Sequence, residues 1–454
     1  MHVPSLTRRG ILTAAASTGA AALLTQNPLV SSALASSTPT NIVNFAGPHQ
    51  AGITTPGQHH LQICAFDIKT SSRAELVAML TEWQRAIETL TIGLPLPGDP
   101  SPSVAPSDTG EALGQTAANL TITIGFGPSL FDGRFGLADQ RPPALVDLPA
   151  FKGDALDPNI SNGDISVQAC ADSRLVAEHA VRALGRIGGS RIQLRWLQAG
   201  FDEPPAKAND GSGRNLFGTK DGTANLDRTD DARMRRNVWV APGDGPTWMI
   251  DGCYQVYRRI TMNLISWDDS DLDEQENVIG RKKDTGAPFG ANGEFDPVDP
   301  SKLPVDSHVR LANPRTGPDS ENERILRRGY SFHDGLNPTT RAYDAGLAFV
   351  AYQRDPRRQF ITIQQRLAEQ DALNEYLTHT ASGIFAIPPG APAGQYVGWT
   401  LFSEAPAPQP PQTAPADPIH EAPRNGPPQP RPDGAARHKH RRPHRRPRPP
   451  KHNG

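Results

Sequence analysis

The sequence predicts an α+β fold built from ferredoxin-like units, and the first observation behind it is the pattern of residues 45–214. Alternation of apolar and polar residues predicts strands, and apolar residues at helical spacing predict helices, in the order β-α-β-β-α-β of a ferredoxin-like unit. The predicted strands are 59–69, 120–126, 164–169 and 191–199, and the predicted helices are 73–90, capped by Ser71 or Ser72, and 173–184.

The second observation is a loose repetition of this pattern in residues 215–402. Strands are predicted at 236–240, 247–260 and 346–353, and helices at 271–280 and 356–367. The residues themselves do not repeat, so the duplication is one of architecture. We expect four regions: a signal peptide at 1–35, an N-terminal domain at 45–214, a C-terminal domain at 215–402 and a tail at 403–454.

Length and composition agree with two domains. A chain of 454 residues can form two sizeable cores, and its 37% hydrophobic content is lowered partly by 45 prolines. Three cysteines are widely spaced without a Cys-x-x-Cys pair, which argues against an iron–sulfur cluster or a zinc ribbon. Each of them has apolar neighbours, and one disulfide is left open.

The N-terminus carries an export signal. Residues 7–12 read Thr-Arg-Arg-Gly-Ile-Leu, a short apolar run continues through Leu24, and Ala-Leu-Ala follows at 33–35. These features are typical of a twin-arginine signal, whereas the run is too short and rich in Ala and Gly for a membrane span. The alternative is an amphipathic helix after a chance Arg-Arg pair. We expect a protein exported in its folded state to the periplasm, the cell envelope or the extracellular space, and without a transmembrane segment.

The C-terminal tail is rich in proline and basic residues. Residues 431–454 carry a net charge of +8, and because the whole chain carries −2, the remainder carries −10. Without apolar periodicity the tail is expected to be disordered, and it could bind anionic cell-envelope polymers or, less favoured, nucleic acid. Weak metal binding through His438, His440, His444 and His452 is a further alternative, as is a solvated tail without a partner.

The segment 306–330 organises the functional hypothesis. It places His308 among five arginines, Arg310, Arg315, Arg324, Arg327 and Arg328. Haem would satisfy both features, because its iron accepts an axial imidazole and its propionates suit guanidinium groups. The alternative for this segment alone is a loop of solvated arginines with an ordinary histidine.

A Gly-x-x-Asp-Gly element precedes that segment. It comprises Gly218, Lys220, Asp221 and Gly222 with Thr219 between them. Glycines on both sides of an acid allow a sharp turn and a close approach to a flat ligand. Alone the element is a weak signal, since most Asp-Gly pairs form turns.

Together these motifs resemble the dye-decolourising (DyP-type) peroxidase family, especially its exported deferrochelatase/peroxidase branch. The resemblance covers about residues 45–402 and includes the segments 49–53, 125–131, 168–172 and 346–352. It implies two ferredoxin-like halves packed by their sheets, of the dimeric α+β barrel type. It also implies one haem b (heme b) per chain, held in the C-terminal half.

The resemblance also assigns roles to residues. Asp221 would carry the proton of peroxide, Arg327 would stabilise the developing negative charge, and His308 would be the proximal ligand of the haem iron. Gly218, Lys220 and Gly222 would border the cofactor, and Arg310 would bind a propionate. Asp355 is a candidate partner for the second nitrogen of His308, and His333 is a rival ligand in a segment typical of a turn. An aspartate base predicts activity at about pH 4–5.

Three functions remain to be compared. The first is a peroxidase that reduces hydrogen peroxide and oxidises aromatic or dye-like donors at its surface, with Trp267, Tyr330, Tyr352 and Trp399 as candidate electron relays. The alternative is a haem-handling deferrochelatase of an iron-acquisition system. A catalytically idle haem-binding module is disfavoured because Asp221 and Arg327 occur together. A homo-oligomer is left open.

Overall fold

The computed structural model of the protein describes residues 41–98, 101–203 and 211–404. The predicted signal peptide lies outside these ranges, as does the tail beyond residue 404. None of the helices in the described part combines the length and the apolar character that crossing a bilayer requires.

The N-terminal half has the predicted ferredoxin-like order. Its antiparallel strands follow the order β2-β3-β1-β4 in the sheet, with both helices packed on one face. Ser72 is the N-cap of the first helix and accepts a hydrogen bond from the N–H of Glu75. The elements are β1 (His60–Ile68), α1 (Arg73–Leu90), β2 (Thr121–Phe126), β3 (Ile165–Ala171), α2 (Arg174–Gly188) and β4 (Ile192–Phe201).

The C-terminal half repeats this arrangement with additions. Strand β8 pairs with β5 on one edge and with both β6 and β7 on the other, and β9 pairs with the free edge of β5. Its strands are β5 (Cys253–Met262), β6 (Leu326–Arg327), β7 (Tyr330–Leu336), β8 (Tyr343–Gln353) and β9 (Leu377–Ile387). Its helices are α3 (Asp231–Asn237), α4 (Leu264–Asp269), α5 (Leu272–Ile279), α6 (His308–Ala312), α7 (Phe360–Gln370) and α8 (Trp399–Glu404).

Two strand predictions for this half need correction. The strand predicted at 236–240 is wrong, because residues 231–237 form helix α3. Asp230 caps that helix by accepting a hydrogen bond from the N–H of Arg233, and two arginines in its last turn suit the helix dipole. The strand predicted at 247–260 starts late, since Thr247–Met249 is a 3-10 turn and β5 begins at Cys253.

The two halves form one continuous sheet. Phe126 of β2 pairs with Ala386 of β9, and Phe201 of β4 pairs with Ser331 of β7, so the strands close into a ring. The inner faces bury a core that includes Ile63, Cys170, Trp196, Tyr257, Tyr352 and Phe385. The helices pack against the outer faces of the sheet. In the C-terminal half a cavity lies between the sheet and these helices.

The three cysteines belong to the interior. Cys64, Cys170 and Cys253 are all buried and unpaired. The disulfide that the sequence left open is therefore not formed, and the cysteines serve as small apolar side chains.

Candidate active site

A cavity of about 250 Å³ lies on the outer face of the C-terminal half, between the sheet and its helices. Successive side chains of a strand point to opposite faces, so Leu347 and Phe349 of β8 line the cavity while Ala348 and Val350 belong to the inner core. Much of the wall is apolar and comprises Phe217, Ile260, Met262, Ile279, Val309, Leu347, Phe349, Phe360, Ile363, Leu367, Leu373 and Leu377.

Asp221 reaches this cavity from a tight hairpin. Its N–H donates to the carbonyl oxygen of Gly213 at 2.9 Å, which brings the two arms of the hairpin together. Gly222 has a φ of +96°, where a side chain would be strained, and its N–H donates to Oδ1 of Asp221 at 2.8 Å. The carboxylate is 31% exposed, so it can meet a small ligand in the cavity.

Arg327 faces Asp221 across the cavity wall. Nη1 of Arg327 lies 3.4 Å from Oδ1 of Asp221, and Nη2 donates to the carbonyl oxygen of Thr223 at 3.0 Å. Asn225 fixes the backbone of Arg327, accepting from its N–H at 2.9 Å and donating to its carbonyl oxygen at 2.8 Å. Thus the structure brings together an acid and a guanidinium that are 106 residues apart in the sequence.

His308, the first residue of α6, lines the same cavity. Its Nδ1 lies 2.7 Å from Oδ2 of Asp371, a residue that is nearly fully buried. Burial alone would lower the pKa of His308, but the charge and the hydrogen bond of Asp371 outweigh burial and raise the pKa. In the neutral imidazole, a proton held on Nδ1 by the carboxylate leaves on Nε2 the lone pair that a metal ion needs.

The expected partner of His308 was wrong. Asp355 instead accepts a hydrogen bond from Nη2 of Arg357 at 2.8 Å, at the entrance of α7. Asp371, which directly follows α7, takes that place, and no motif in the sequence marked it. The sequence could not reveal this contact because Asp371 is 63 residues away from His308.

Three arginines form a basic rim on the cavity. Arg281 and Arg315 donate to backbone carbonyl oxygens. Nη1 of Arg324 lies 3.6 Å from Oε1 of Glu321. Burial, followed by the charges of Arg281 and Arg324, lowers the pKa of Arg315 to about 10. These cations therefore repel one another across the cavity, and an anionic group placed there would relieve the repulsion.

The structure separates Arg310 from this rim. Nη1 of Arg310 donates to the carbonyl oxygen of Leu303 at 2.9 Å, and Arg310 is not among the residues that line the cavity. Lys220 and Gly222 do line it, whereas Gly218 supports the turn behind it with a φ of +73°. The rival ligand His333 is exposed on β7, away from the lining residues.

The sequence analysis also missed Arg258 and His379, two ionisable residues that line the cavity. Arg258 of β5 is fully buried and forms an ion pair with Asp154, and its Nε has no hydrogen-bond partner among the described residues. His379 of β9 lies 3.8 Å from the same carboxylate. Burial, followed by the charge of Arg258, lowers the pKa of His379 to about 3, so the imidazole is neutral at ordinary pH.

Comparison with known proteins identifies the family. Residues 50–202 match the family described as Dyp-type peroxidase, N-terminal, and residues 212–392 match Dyp-type peroxidase, C-terminal. The chain therefore belongs to the Dyp-type peroxidase family, whose members are haem-dependent enzymes. The resemblance stated from the motifs is confirmed.

Individual relatives agree with this assignment. The chain is 40% identical over 369 residues to the deferrochelatase of Escherichia coli strain K12, covering 79% of this chain and 86% of that protein. Ferric DtpA from Streptomyces lividans is 40% identical with a TM-score of 0.73, covering 80% of this chain and 98% of that one. A DyP-type peroxidase from Cellulomonas bogoriensis is 38% identical with a TM-score of 0.72, covering 81% and 99%. These similarities confirm the α+β fold of ferredoxin-like halves.

The residues of the cavity fit a haem group. An apolar wall suits a porphyrin, the basic rim of Arg281, Arg315 and Arg324 suits its carboxylates, and His308 offers a nitrogen with a fixed tautomer. The Asp221–Arg327 pair provides a proton acceptor and a fixed positive charge in the same space.

Proposed function

We propose that the protein reduces hydrogen peroxide with Asp221 as the proton acceptor, Arg327 as the charge-stabilising group and His308 as the iron ligand of one haem b. The ion pair between Asp221 and Arg327, in the cavity that also contains His308, is the observation that carries this proposal. Asp221 and Arg327 are also close enough for their charges to affect the pKa of His308.

In this mechanism the protein moves one proton and stabilises one charge. Haem, when bound, supplies the iron at which peroxide is reduced. Asp221 accepts the proton from one oxygen of peroxide and returns it to the other oxygen, which leaves as water. Because Asp221 is partly exposed, it can reach a bound peroxide directly or through one water.

Arg327 acts beside that proton transfer. Its guanidinium is held by the carbonyl oxygen of Thr223 and by Asp221, so its charge is in place before the oxygen–oxygen bond breaks. A preorganised charge of this kind stabilises negative charge that develops on the departing oxygen without the cost of reorganisation.

In the same cavity, His308 would hold the haem iron, and Asp371 holds His308. A carboxylate that accepts from Nδ1 orients the ring and makes Nε2 a stronger electron donor. The basic rim would bind the haem carboxylates, with Arg315 rather than Arg310 as the principal contact, because Arg315 lines the cavity.

Aromatic or dye-like donors are the reducing substrates we infer for this enzyme. Of the four candidate relays, Trp267, Tyr330 and Tyr352 are almost fully buried, so none of these three can contact a donor directly. Trp399 is partly exposed at the start of α8 and remains the candidate with access to solvent.

A deferrochelatase is the second candidate function, favoured by the name of the 40% identical relatives. That reaction would remove iron from haem and leave the porphyrin. The two functions differ in product, since a peroxidase leaves its haem intact while the donor is oxidised.

The export route and the tail are part of the proposal. The twin-arginine motif at residues 8–9 supports export of a folded protein, and the charge of +8 in residues 431–454 supports attachment to anionic cell-envelope polymers.

One experiment compares the two functions. The haem-loaded protein is mixed with hydrogen peroxide and an aromatic dye, and dye absorbance and porphyrin fluorescence are followed together. The proposal expects peroxide-dependent bleaching of the dye with no rise in porphyrin fluorescence. Fluorescent iron-free porphyrin without dye oxidation would contradict it and favour the deferrochelatase.

A further inference from the structure

Glu294 is a buried carboxylate directly behind the Asp221 hairpin. Its side chain is 7% exposed, and it is not among the residues that line the cavity. It lies in the long connection between α5 and α6, where its carbonyl oxygen accepts a hydrogen bond from Nη1 of Arg281 at 2.8 Å. Burial of a charged carboxylate costs desolvation free energy unless hydrogen-bond donors surround it.

The donors around Glu294 come from both arms of the hairpin. The N–H of Ser212, before Asp221, lies 3.1 and 3.2 Å from the two carboxylate oxygens. The hydroxyl of Thr223, after Asp221, donates at 2.6 Å. Lys220, the direct neighbour of Asp221, has its Nζ 3.7 Å from Oε2. One carboxylate thus joins the first arm of the hairpin, at Ser212, to its second arm, at Lys220 and Thr223.

Thr223 links this arrangement to the second distal group. Its hydroxyl donates to Glu294, and its carbonyl oxygen accepts from Nη2 of Arg327 at 3.0 Å. Arg327 in turn contacts Asp221. Although Glu294 touches neither of the two reacting side chains, it fixes the backbone that carries one of them and the carbonyl group that orients the other.

We propose that Glu294 is a positioning residue for peroxide reduction. Through Ser212, Thr223 and Lys220, it holds the side chains of Asp221 and Arg327 in their relative positions. This inference rests on the proposed function of Asp221. A displacement of about 1 Å in an acid–base group can slow its proton transfer considerably. Loss of the Glu294 carboxylate should therefore slow peroxide reduction while leaving the residues that we propose to bind haem in place.

The charge state of Glu294 agrees with this role. Burial would raise its pKa, but hydrogen bonds from Ser212 and Thr223 and the charge of Lys220 outweigh burial and lower the pKa. A lowered pKa favours the ionised carboxylate, which is the form that accepts hydrogen bonds from both Ser212 and Thr223.

The test uses full-length, haem-loaded protein and the rate constant of its reaction with hydrogen peroxide, measured by stopped flow at the Soret band. Glu294→Ala should be slowed about 10- to 100-fold, with its haem absorbance retained. Glu294→Gln should recover part of the rate, because an amide oxygen still accepts from Ser212 and Thr223. Glu276→Ala is the matched control, since Glu276 is also 7% exposed and bound by a lysine and a backbone N–H, but on α5 outside the cavity.

A double-mutant cycle separates positioning from general loss of structure. If Glu294 acts through Asp221, the loss caused by Glu294→Ala should be smaller in an Asp221→Asn background, because only Arg327, the second group that Glu294 positions, still acts there. Should Glu294→Ala fail to fold, Thr223→Val removes the hydroxyl that contacts Glu294 and Ser212 and should give the same non-additive loss.

Hydrogen exchange of the haem-free, full-length protein gives a readout independent of activity. Amides of residues 211–225 should exchange faster in Glu294→Ala than in wild type, and not in Glu276→Ala. A wild-type rate in Glu294→Ala, alongside an impaired Asp221→Asn, would overturn the positioning role alone, as would equal losses in both backgrounds of the cycle. A wild-type rate in Asp221→Asn would instead overturn the proposed function, and the role of Glu294 with it.

Discussion

Nδ1 of His308 and Oδ2 of Asp371 lie 2.7 Å apart, and this contact ties the short helix α6 to the end of α7. The same contact sets the ring orientation and the tautomer of the residue that we propose as iron ligand. Asp371 is nearly fully buried, so its carboxylate is shielded from water and salt.

Replacement of Asp371 by Asn should weaken the hold on haem. An amide lacks the negative charge that orients the imidazole and makes it a stronger electron donor. Loss of such a partner commonly reduces metal affinity about 10- to 100-fold. Transfer of haem to apomyoglobin measures the change as a faster rate of haem loss. Asp355→Asn is the control and should release haem at the wild-type rate, because Asp355 contacts Arg357 instead. Equal haem loss in the two variants would refute the role of Asp371.

Replacement of Arg315 by Ala should selectively weaken recognition of the haem carboxylates. Arg315 is crowded by Arg281 and Arg324, so an anion is the group that stabilises it best. Wild-type protein should bind haem more tightly than haem dimethyl ester, and in Arg315→Ala this preference should fall about tenfold. Arg310→Ala should keep the preference, since Arg310 donates to Leu303. A preference lost in Arg310→Ala and kept in Arg315→Ala would restore the original prediction for Arg310.

His379 should make the stability of the haem-free protein depend on pH. Burial and the charge of Arg258 lower the pKa of His379 from 6.5 to about 3 in the folded state. Between these two values the unfolded chain binds a proton that the folded chain does not. The free energy of unfolding should therefore decrease as the pH is lowered from about 6.5 toward 3. His379 contributes up to ~1.4 kcal/mol per pH unit to this decrease. Above pH 6.5 His379 no longer makes the free energy of unfolding depend on pH.

Urea unfolding at a series of pH values measures that dependence. His379→Gln should show a shallower decrease than wild type, while His333→Gln, at an exposed position, should follow wild type. If His379→Gln and wild type lose stability in parallel below pH 6.5, the imidazole is not the responsible group.

Local patterns in the sequence predicted the first half of the fold well. Helix α1 was expected at 73–90 and occupies Arg73–Leu90, because apolar spacing and the cap at Ser72 act within one element. In the second half, β9 was missed. Its polar and small residues, such as Thr378 and Ser382, hide the alternation, and its place between β5 and β2 is fixed by tertiary pairing.

The candidate site could be predicted only where motifs mark it. Asp221, Arg327 and His308 lie in recognisable segments, and the structure brings all three to one cavity. Asp371 and Glu294 lie in no such segment, because their roles arise from contacts across 63 and 82 residues. Supporting residues of this kind become visible only when the chain is folded.

The most direct test of the central claim is the reaction of haem-loaded Asp221→Asn with hydrogen peroxide, followed by stopped flow at the Soret band. Asparagine keeps the shape of the side chain but cannot accept the proton, so haem should remain bound and the rate constant should fall about 10²- to 10⁴-fold. Arg327→Lys, which keeps the charge but loses the fork that reaches both Asp221 and Thr223, should show a smaller loss. A wild-type rate in Asp221→Asn would contradict the account, because peroxide would then be reduced without the carboxylate on which the site is built.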